Sequence, residues 1–481
     1  MDLRPVGYIL GLLLAAFGAT MLFPMALDLA AGDRHWAAFF ETAVITFVAG
    51  GVLALACANG ARRGLTLQQA FVLTTVTWVA LPVFGALPFM IGAPGATFTH
   101  AVFEAMSGMT TTGSTVFVSL EGLPAGTNLW RGLLQWLGGL GIIIVALLFL
   151  PVMKVGGMQF FRAEGFDTLG KILPRALDIS AGLIQIYVGL TVLIVIAYMI
   201  LGLSGFDAVV HALSTVSTGG FSSYDASFGV FPVGAQYASA VFMILASLPF
   251  IRYLQLLQGS AVPLWRDIQV RAYLRWIGYA IAVVVLWRVA ANREPVIEAL
   301  HETVFNTVSI FSGTGYASAD VSLWGSFPLV VMIVVGFIGG CTSSTACSVK
   351  VFRYLILLEA IRTQLRRLTS PNLILPVRYD GRRVGEDVVN SVIVFFTMFV
   401  LTYGVLVVAL SMTGLSARTA LTAAWTAIAN VGPAFGAEVG PTGAFNRFPD
   451  AALWVMTVGM MLGRLELLSV YVLFTVRFWA R

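Results

Sequence analysis

Charged residues are scarce in this sequence. Only 11% of the 481 residues are Asp, Glu, Lys or Arg, whereas a soluble globular chain contains about 25%. Because so few charges cannot cover a surface that faces water, the composition excludes a soluble enzyme, a disordered tail protein and a nucleic-acid-binding protein. The net charge of +5 is small for this length and does not indicate a nucleic-acid partner.

Cysteine is also scarce. Cys57, Cys341 and Cys347 are an odd set in apolar or Gly/Ser-rich surroundings, which excludes a disulfide framework and a zinc site. No set of His, Asp, Glu and Ser residues occurs within the apolar segments at a spacing that would serve catalysis, so the sequence predicts that the protein is not an enzyme.

Long apolar runs dominate instead, since 58% of the residues are hydrophobic. A membrane-spanning helix needs about 20 mostly apolar residues. The runs predict an all-α polytopic membrane protein whose first span is retained rather than cleaved as a signal peptide. The predicted spans are 6–30, 37–58, 68–91, 128–152, 180–203, 235–258, 272–291, 323–348, 388–412 and 450–478.

Four gaps between the spans share one pattern. Segments 92–127, 204–234, 292–322 and 413–449 are rich in Gly, Ser and Thr, and each begins with a helical pattern too short to cross a bilayer. Such segments are typical of re-entrant loops, which are tolerated at membrane depth only where they line a cavity. The helix starts are predicted at Thr97 or Thr99, at Ser204 with Asp207 three residues later, at Pro295 and at Ser416.

The four loops also resemble one another. They read TTGST (111–115), STGGF (217–221), GTGYA (313–317) and NVGPA (430–434), and the alignment places Gly113, Gly219, Gly315 and Gly432 at equivalent positions. Such internal repetition predicts four helix–re-entrant loop–helix units around a central pore. The predicted units are 65–178, 179–268, 269–384 with a broken second helix and a cytosolic extension, and 385–481, after two additional helices in 1–64.

Backbone carbonyls from four such loops can replace the water shell of a dehydrated cation, and glycine leaves room for the backbone at the axis. The alternative is that these glycines are packing contacts between membrane helices. The predicted filter residues are Thr111, Thr112, Gly113, Thr218, Gly219, Thr314, Gly315, Asn430, Val431 and Gly432.

The distribution of charge predicts the orientation. With the N-terminus in the cytosol, all lysines and arginines lie inside except Arg34, Arg131, Arg288, Arg293, Arg418 and Arg447, as the positive-inside rule requires. The outer side is then net acidic, which suits a cation. Four acidic residues are candidates to line the outer mouth, with ordinary solvated loop carboxylates as the alternative: Glu104, Glu302, Asp320 and Glu438.

The chain resembles the TrkH-type subunits of the Trk/Ktr/HKT superfamily over essentially its whole length. The matching stretches are QWLGGLGIIIVALLFLP (135–151), GGMQFFRAEG (156–165), SGTGYASAD (312–320), NVGP (430–433) and LGRLEL (462–467). The resemblance implies potassium translocation through the cytoplasmic membrane by a homodimer with one pore per protomer. It also implies a cytosolic nucleotide-binding gating ring of the TrkA type, with any nucleotide on that partner. A glycine at all four filter centres is the family's potassium-preferring version.

The resemblance also implies a gate below the filter, formed by an intramembrane loop and a buried arginine. The gate residues would be Cys341, Thr342, Ser343, Ser344, Thr345, Lys350 and Arg464. For Arg464 the alternative is snorkelling to the inner headgroups, paired with Glu466, and for Lys350 both readings stay open. The loop lacks the family's later glycines, which predicts a less fully unwound helix. The fourth filter segment has Pro433 and Ala434, where a second glycine is commoner.

Two other transport functions are compatible with parts of this sequence. A less selective Na⁺/K⁺ pathway and a secondary carrier for another substrate are the alternatives, although a carrier would predict half-helices that begin at the midplane. For symport, protons and sodium are the alternatives as the coupled ion. The cytosolic segment 359–387 is either a docking surface for a gating ring or a contact to lipid headgroups.

Overall fold

The computed structural model describes residues 1–60, 65–148, 157, 172–370 and 375–480. The predicted fourth span therefore lies outside the described residues from 149 onward, as does most of the stretch 156–165. The same holds for six of the basic residues used for the orientation: Arg62, Arg63, Lys154, Arg162, Lys171 and Arg481.

Two apolar segments at the front of the chain form a closely packed pair. Helix α1 (Arg4–Thr20) continues almost directly into α2 (Leu22–Ala30), and α3 (Trp36–Ala56) returns along them. Glycines allow the backbones of α1 and α3 to touch. A Cβ atom added to Gly11 would lie 2.4 Å from the Ala54 nitrogen, and one added to Gly50 would lie 2.5 Å from the Ala15 nitrogen.

The remainder of the chain repeats one pattern of a long helix, a short helix, a loop and a returning helix. The first two occurrences are α4 (Leu67–Gly85), α5 (Leu87–Ile91), α6 (Phe98–Met109) and α7 (Ala125–Leu148), then α8 (Ile172–Ile200), α9 (Gly205–Val216), α10 (Val233–Ala246), α11 (Phe250–Leu257) and α12 (Val262–Arg266).

The next two occurrences carry the pattern to the end of the chain. They are α13 (Ile268–Ala291), α14 (Val296–Ser312), α15 (Ser326–Ile338) and α16 (Val351–Thr369), then α17 (Glu386–Met412), α18 (Ala417–Ala429), α19 (Asp450–Arg464), α20 (Leu468–Tyr471) and α21 (Val476–Trp479). A two-residue antiparallel hairpin, β1 (Arg378–Tyr379) and β2 (Arg382–Arg383), lies between α16 and α17.

The short helices α6, α9, α14 and α18 begin where the sequence predicts. The Thr97 side chain caps α6 by accepting from the His100 amide, so Thr99 is excluded as the first cap. The Ser204 side chain accepts from the Asp207 amide at the start of α9. Pro295 and Ser416 occupy the N-cap positions of α14 and α18.

Six of the predicted spans are confirmed as helices long and apolar enough to cross a membrane, within the described ranges. They are Arg4–Ala30, Trp36–Ala56, Leu67–Ile91, Ile179–Ile200, Ile268–Ala291 and Glu386–Met412.

Two predicted spans are wrong as continuous helices. The segment 235–258 bends by 92° between α10 and α11, and 450–478 bends by 103° after α19. In the segment 323–348, where a broken helix is expected, the 13-residue α15 is followed by an irregular stretch at 339–350. An apolar sequence indicates membrane depth but not an unbroken helix, so the hydrophobic pattern does not reveal the bends within 235–258 and 450–478.

Buried apolar clusters join these helices, and two of the clusters connect different occurrences of the pattern. One cluster packs Phe103 and Met106 of α6 against Leu453 and Met456 of α19, which joins the first pattern to the fourth. Another packs Tyr198 of α8 and Phe305 of α14 around the loop residues between them, which joins the second to the third.

Substitution of Gly50 by Val should separate α1 from α3, because the new side chain would overlap the Ala15 backbone. We expect a loss of about 1–3 kcal/mol in the free energy of unfolding, measured in detergent micelles. Gly51→Val is the matched control, since no atom lies within 4 Å of a Cβ at Gly51. Equal stability of the two variants would contradict the close helix contact.

Candidate functional site

The four short helices end in the same hydrogen bond. In each one, a backbone amide just beyond the helix donates to the carbonyl oxygen five residues earlier, which closes a tight turn. The four bonds run from Thr112 to Ser107 (2.9 Å), from Gly219 to Ser214 (2.8 Å), from Thr314 to Ser309 (2.9 Å) and from Val431 to Thr426 (3.3 Å).

The residues on either side of each donating amide have positive φ. These pairs are Thr111 (51°) and Gly113 (87°), Thr218 (51°) and Gly220 (81°), Gly313 (76°) and Gly315 (80°), and Asn430 (52°) and Gly432 (110°). The prediction that Gly219 is the counterpart of Gly113 is therefore wrong by one residue. Gly220 is the counterpart, and Gly219 corresponds to Thr112, because the STGG stretch offers two adjacent glycines and a sequence alignment cannot choose between them.

The four turns close into a ring. Each glycine with positive φ lies against a carbonyl oxygen of the next turn, so close that no side chain fits between them. A Cβ added to Gly113 would lie 2.3 Å from the Gly219 oxygen, and one added to Gly220 would lie 1.9 Å from the Thr314 oxygen. A Cβ added to Gly315 would lie 1.9 Å from the Val431 oxygen, and one added to Gly432 would lie 2.8 Å from the Thr112 oxygen. The order is cyclic, from the first turn to the second, third, fourth and back to the first.

Buried side chains link the fourth turn to the first. The Ser114 hydroxyl donates to the Gly432 oxygen at 2.7 Å, and the Asn430 amide donates to the Thr112 hydroxyl at 2.9 Å. Within the fourth turn, the Gly432 amide donates to the Thr426 hydroxyl at 2.7 Å. The ring is thus held by polar side chains at its last junction as well as by backbone contact.

A buried ion pair supports the first two turns from behind. Nε of Arg131 on α7 lies 2.8 Å from a carboxylate oxygen of Glu104 on α6, and both side chains are buried. Glu104 also accepts from the Val116 amide at 2.9 Å and from the Thr115 hydroxyl. Arg131 donates to the Ser222 oxygen at 2.7 Å. Glu104 is therefore a support for the turns and does not line an outer mouth.

The other acidic candidates also have protein partners. Glu302 lies 2.6 Å from Arg288, and Asp320 accepts from the Ser322 amide. Glu438 accepts hydrogen bonds from Thr419 and Ser416, which lower its pKa to about 2. An open cavity of about 110 Å³ lies beyond the turns, and its lining includes Gly113, Gly220, Gly315, Gly432 and the carboxylate-bearing Asp225.

The irregular stretch 339–350, which we call the intramembrane loop, is buried. It bonds to the break between α10 and α11. Cys341 N donates to the Ser247 oxygen at 3.0 Å, and Phe250 N donates to the Ser343 oxygen at 2.9 Å. The Thr345 hydroxyl donates to the Ala246 oxygen at 3.0 Å. Two interrupted helices thus satisfy each other's backbone groups, as burial in a membrane requires.

The expectation of a less fully unwound helix is wrong. No helical turn occurs between Ile338 and Val351. Positive φ values at Gly339, Ser343, Ser348 and Lys350 show that residues other than glycine adopt the left-handed conformation here. Long-range hydrogen bonds compensate for that conformation, and the sequence pattern does not reveal them.

The intramembrane loop lies directly against the ring. Sγ of Cys347 is 3.6 Å from the Thr111 hydroxyl. Arg464, at the end of α19, donates to the Thr345 oxygen at 3.1 Å and to the Gly138 oxygen at 3.4 Å, and it also contacts Cys347. The predicted contact between Arg464 and the loop is present, and the snorkelling alternative is wrong because this side chain is buried.

Glu466 pairs with other cations instead. Its carboxylate lies 3.4 Å from Nζ of Lys350 and also contacts the Arg353 guanidinium, and all three side chains are buried. Sequence reasoning missed Arg353 as a member of this cluster. The sequence shows a basic residue three positions after Lys350, but it gives no sign that this residue pairs with Glu466, 113 residues later.

Comparison with known proteins agrees with the architecture. The family model for TrkH, described as a cation transport protein, matches residues 35–479. The Trk system potassium uptake protein TrkI of Halomonas elongata is 43% identical over 413 residues, which cover 85% of this chain and 84% of that protein. TrkH of the same organism is 35% identical over the full length of both chains. The crystal structure of the potassium transporter TrkH from Vibrio parahaemolyticus superposes with a TM-score of 0.92 at 30% identity over all of both chains. The predicted fold class, a helical membrane protein of repeated pore-loop units, is confirmed.

Removal of one member of the buried ion pair should be far more harmful than removal of both. Arg131→Met leaves the Glu104 carboxylate buried without its cation, and we expect a loss of about 3–5 kcal/mol in the free energy of unfolding. The double variant Arg131→Met/Glu104→Gln should lie closer to the wild type. Arg252→Met, at a more exposed pair with Asp267, is the control. Additive losses in unfolding measurements would contradict the coupling.

Proposed function

Because the chain belongs to the TrkH family of cation transport proteins, we propose that it is a potassium-selective, channel-like uptake subunit of the cytoplasmic membrane. The relatives named above are potassium uptake proteins or potassium transporters by description. The site supports the same activity through the closed ring of four glycine turns, which is the observation that carries the proposal.

A ring of four turns supplies what a dehydrated cation needs. The carbonyl oxygens of Thr112, Gly219, Thr314 and Val431 occupy equivalent positions in the ring. Four backbone oxygens around one axis can replace part of the water shell of K⁺. In this proposal the filter comprises these residues, their predicted neighbours Thr111, Thr218 and Asn430, and the glycines Gly113, Gly220, Gly315 and Gly432.

The intramembrane loop and Arg464 form the gate in this proposal. The loop contacts the ring through Cys347 and Thr111, so an ion leaving the ring meets it next. A buried guanidinium at this point opposes the passage of cations electrostatically. The predicted gate residues Cys341, Thr342, Ser343, Ser344 and Thr345 belong to this loop, and Lys350 ends it. The membrane potential, worth about 2.3 kcal/mol per charge per 100 mV, drives uptake.

We also propose that two copies of the chain assemble, each with its own pore, on a cytosolic TrkA-type nucleotide-binding ring. The support within the chain is a basic surface formed by the end of α16 and the β1–β2 hairpin. Its exposed basic residues are Arg362, Arg366, Arg367, Arg378, Arg382 and Arg383. The N-terminus is cytosolic in this arrangement, as the positive-inside rule indicates.

Flux of K⁺ and Na⁺ into proteoliposomes tests the proposal. The wild type should prefer K⁺, and Gly113→Ser should lose that preference, since a Cβ at a φ of 87° would displace the Gly219 carbonyl. Gly122→Ser is the control, because a Cβ there meets no atom within 4 Å. Wild-type flux without K⁺ preference would contradict a potassium filter, and a Gly113→Ser variant with unchanged preference would place the filter elsewhere.

Arg464→Ala tests the gate. Loss of the guanidinium removes its hydrogen bonds to Thr345 and Gly138, so the loop should open more often and K⁺ flux without a regulatory partner should rise. Arg275→Ala, at an exposed arginine of α13, is the matched control and should leave flux unchanged. Flux in Arg464→Ala equal to that of the wild type would remove Arg464 from the gate.

A further inference from the structure

The second turn of the ring differs from the other three. Where the first, third and fourth turns have Thr112, Thr314 and Val431, the second has Gly219, directly before Gly220. Its two adjacent glycines give this turn more backbone freedom than the first and fourth turns, which have one glycine each. A ring that discriminates between ions by the placement of its carbonyls needs this turn to be restrained from outside.

Gln135 on α7 supplies that restraint. Its side chain is fully buried. Nε2 donates to the Gly219 oxygen at 2.6 Å, and Oε1 accepts from the Phe221 amide at 3.2 Å. The amide group thus bonds the backbone on both sides of Gly220, as a neighbouring β-strand would.

The glycine at position 219 is explained by the same contact. A Cβ atom there would lie 2.3 Å from Cδ of Gln135. In the other turns this space is filled by a threonine or valine side chain. In the second turn it is occupied by the Gln135 amide, which comes from another helix.

The carbonyl held by Gln135 is one of the four in the ring, since its oxygen is the atom that a Cβ on Gly113 would meet. In the part of the chain that the structure describes, the carbonyls of Thr112, Thr314 and Val431 receive no side-chain hydrogen bond. One ring position is thus set by a side-chain donor, which fixes the oxygen in place.

Arg131 extends this support from one helical turn away. It donates to the Ser222 oxygen at 2.7 Å, and its guanidinium lies 4.2 Å from the centre of the Phe221 ring. Residues 219–222 are therefore attached to α7 along their length. A displacement of this turn would disturb the contacts of both Gln135 and Arg131.

We infer that Gln135 is a positioning residue for ion selection, whose amide sets the place of the Gly219 carbonyl in the ring. The inference rests on the proposed potassium filter. When the donor is lost, the two-glycine turn relaxes toward a smaller ion, and Na⁺ competes better with K⁺.

The ratio of K⁺ to Na⁺ flux in proteoliposomes tests this role for wild type, Gln135→Glu and Gln135→Met. Gln135→Glu keeps the size and the acceptor for Phe221 but turns an oxygen toward the Gly219 carbonyl, and Gln135→Met removes both bonds. Loss of the donor leaves the buried Gly219 carbonyl without its hydrogen bond, and the free-energy penalty is large enough to change ion discrimination. We therefore expect the ratio of K⁺ to Na⁺ flux to fall about tenfold. A merely structural glutamine would alter the total flux or the yield of folded protein and not the ratio.

Gln236→Glu is the matched control. Gln236 is buried, and its Nε2 also donates to a backbone oxygen, that of Phe231 at 3.0 Å, outside the ring. Its flux ratio should equal that of the wild type. An unchanged ratio in Gln135→Met, or an equal fall in Gln236→Glu, would overturn the role of Gln135 while leaving the potassium filter in place. Absence of K⁺ preference in the wild type would overturn the proposed function and this inference with it.

Discussion

Close approach of backbone to backbone is the constraint on which this molecule depends. At four points a glycine with positive φ touches a carbonyl oxygen of the next turn, and a single Cβ atom at any of them would overlap that oxygen. The contacts run in one cyclic order, so no turn can move without its neighbours. Backbone oxygens arranged around one axis are the groups that can replace the water shell of a dehydrated ion.

The surrounding helices can be understood as supports for this ring. Buried polar groups in a membrane must find partners within the protein, and here the partners link elements far apart in sequence. Glu104 and Arg131 join α6 to α7 behind the first two turns. The intramembrane loop bonds to the break before Phe250, and Arg464 bonds to that loop. Irregular backbone on both sides of the ring is therefore stabilised by long-range contacts and not by local helix formation.

Much of the fold could be predicted because its signals are local. Apolar runs locate the spans, and Thr97, Ser204 and Ser416 mark the starts of three short helices. The failures concern contacts between distant residues. Gly220 and not Gly219 turns the chain, and the space beside Gly219 is filled by Gln135, 84 residues away. The bend after α19 has no Gly or Pro signal at Leu465–Leu467, whereas Pro249 could have indicated the bend after α10.

Crystals grown in K⁺ and in Rb⁺, a heavier ion of similar size and charge, would test the central claim most directly through the anomalous signal of Rb⁺. The account predicts a Rb⁺ peak on the axis of the ring, coordinated by the carbonyl oxygens of Thr112, Gly219, Thr314 and Val431, and no equivalent peak when Na⁺ replaces Rb⁺. Ordered Rb⁺ away from these four oxygens, with none on the axis, would contradict the claim that the glycine ring is the ion-selecting site.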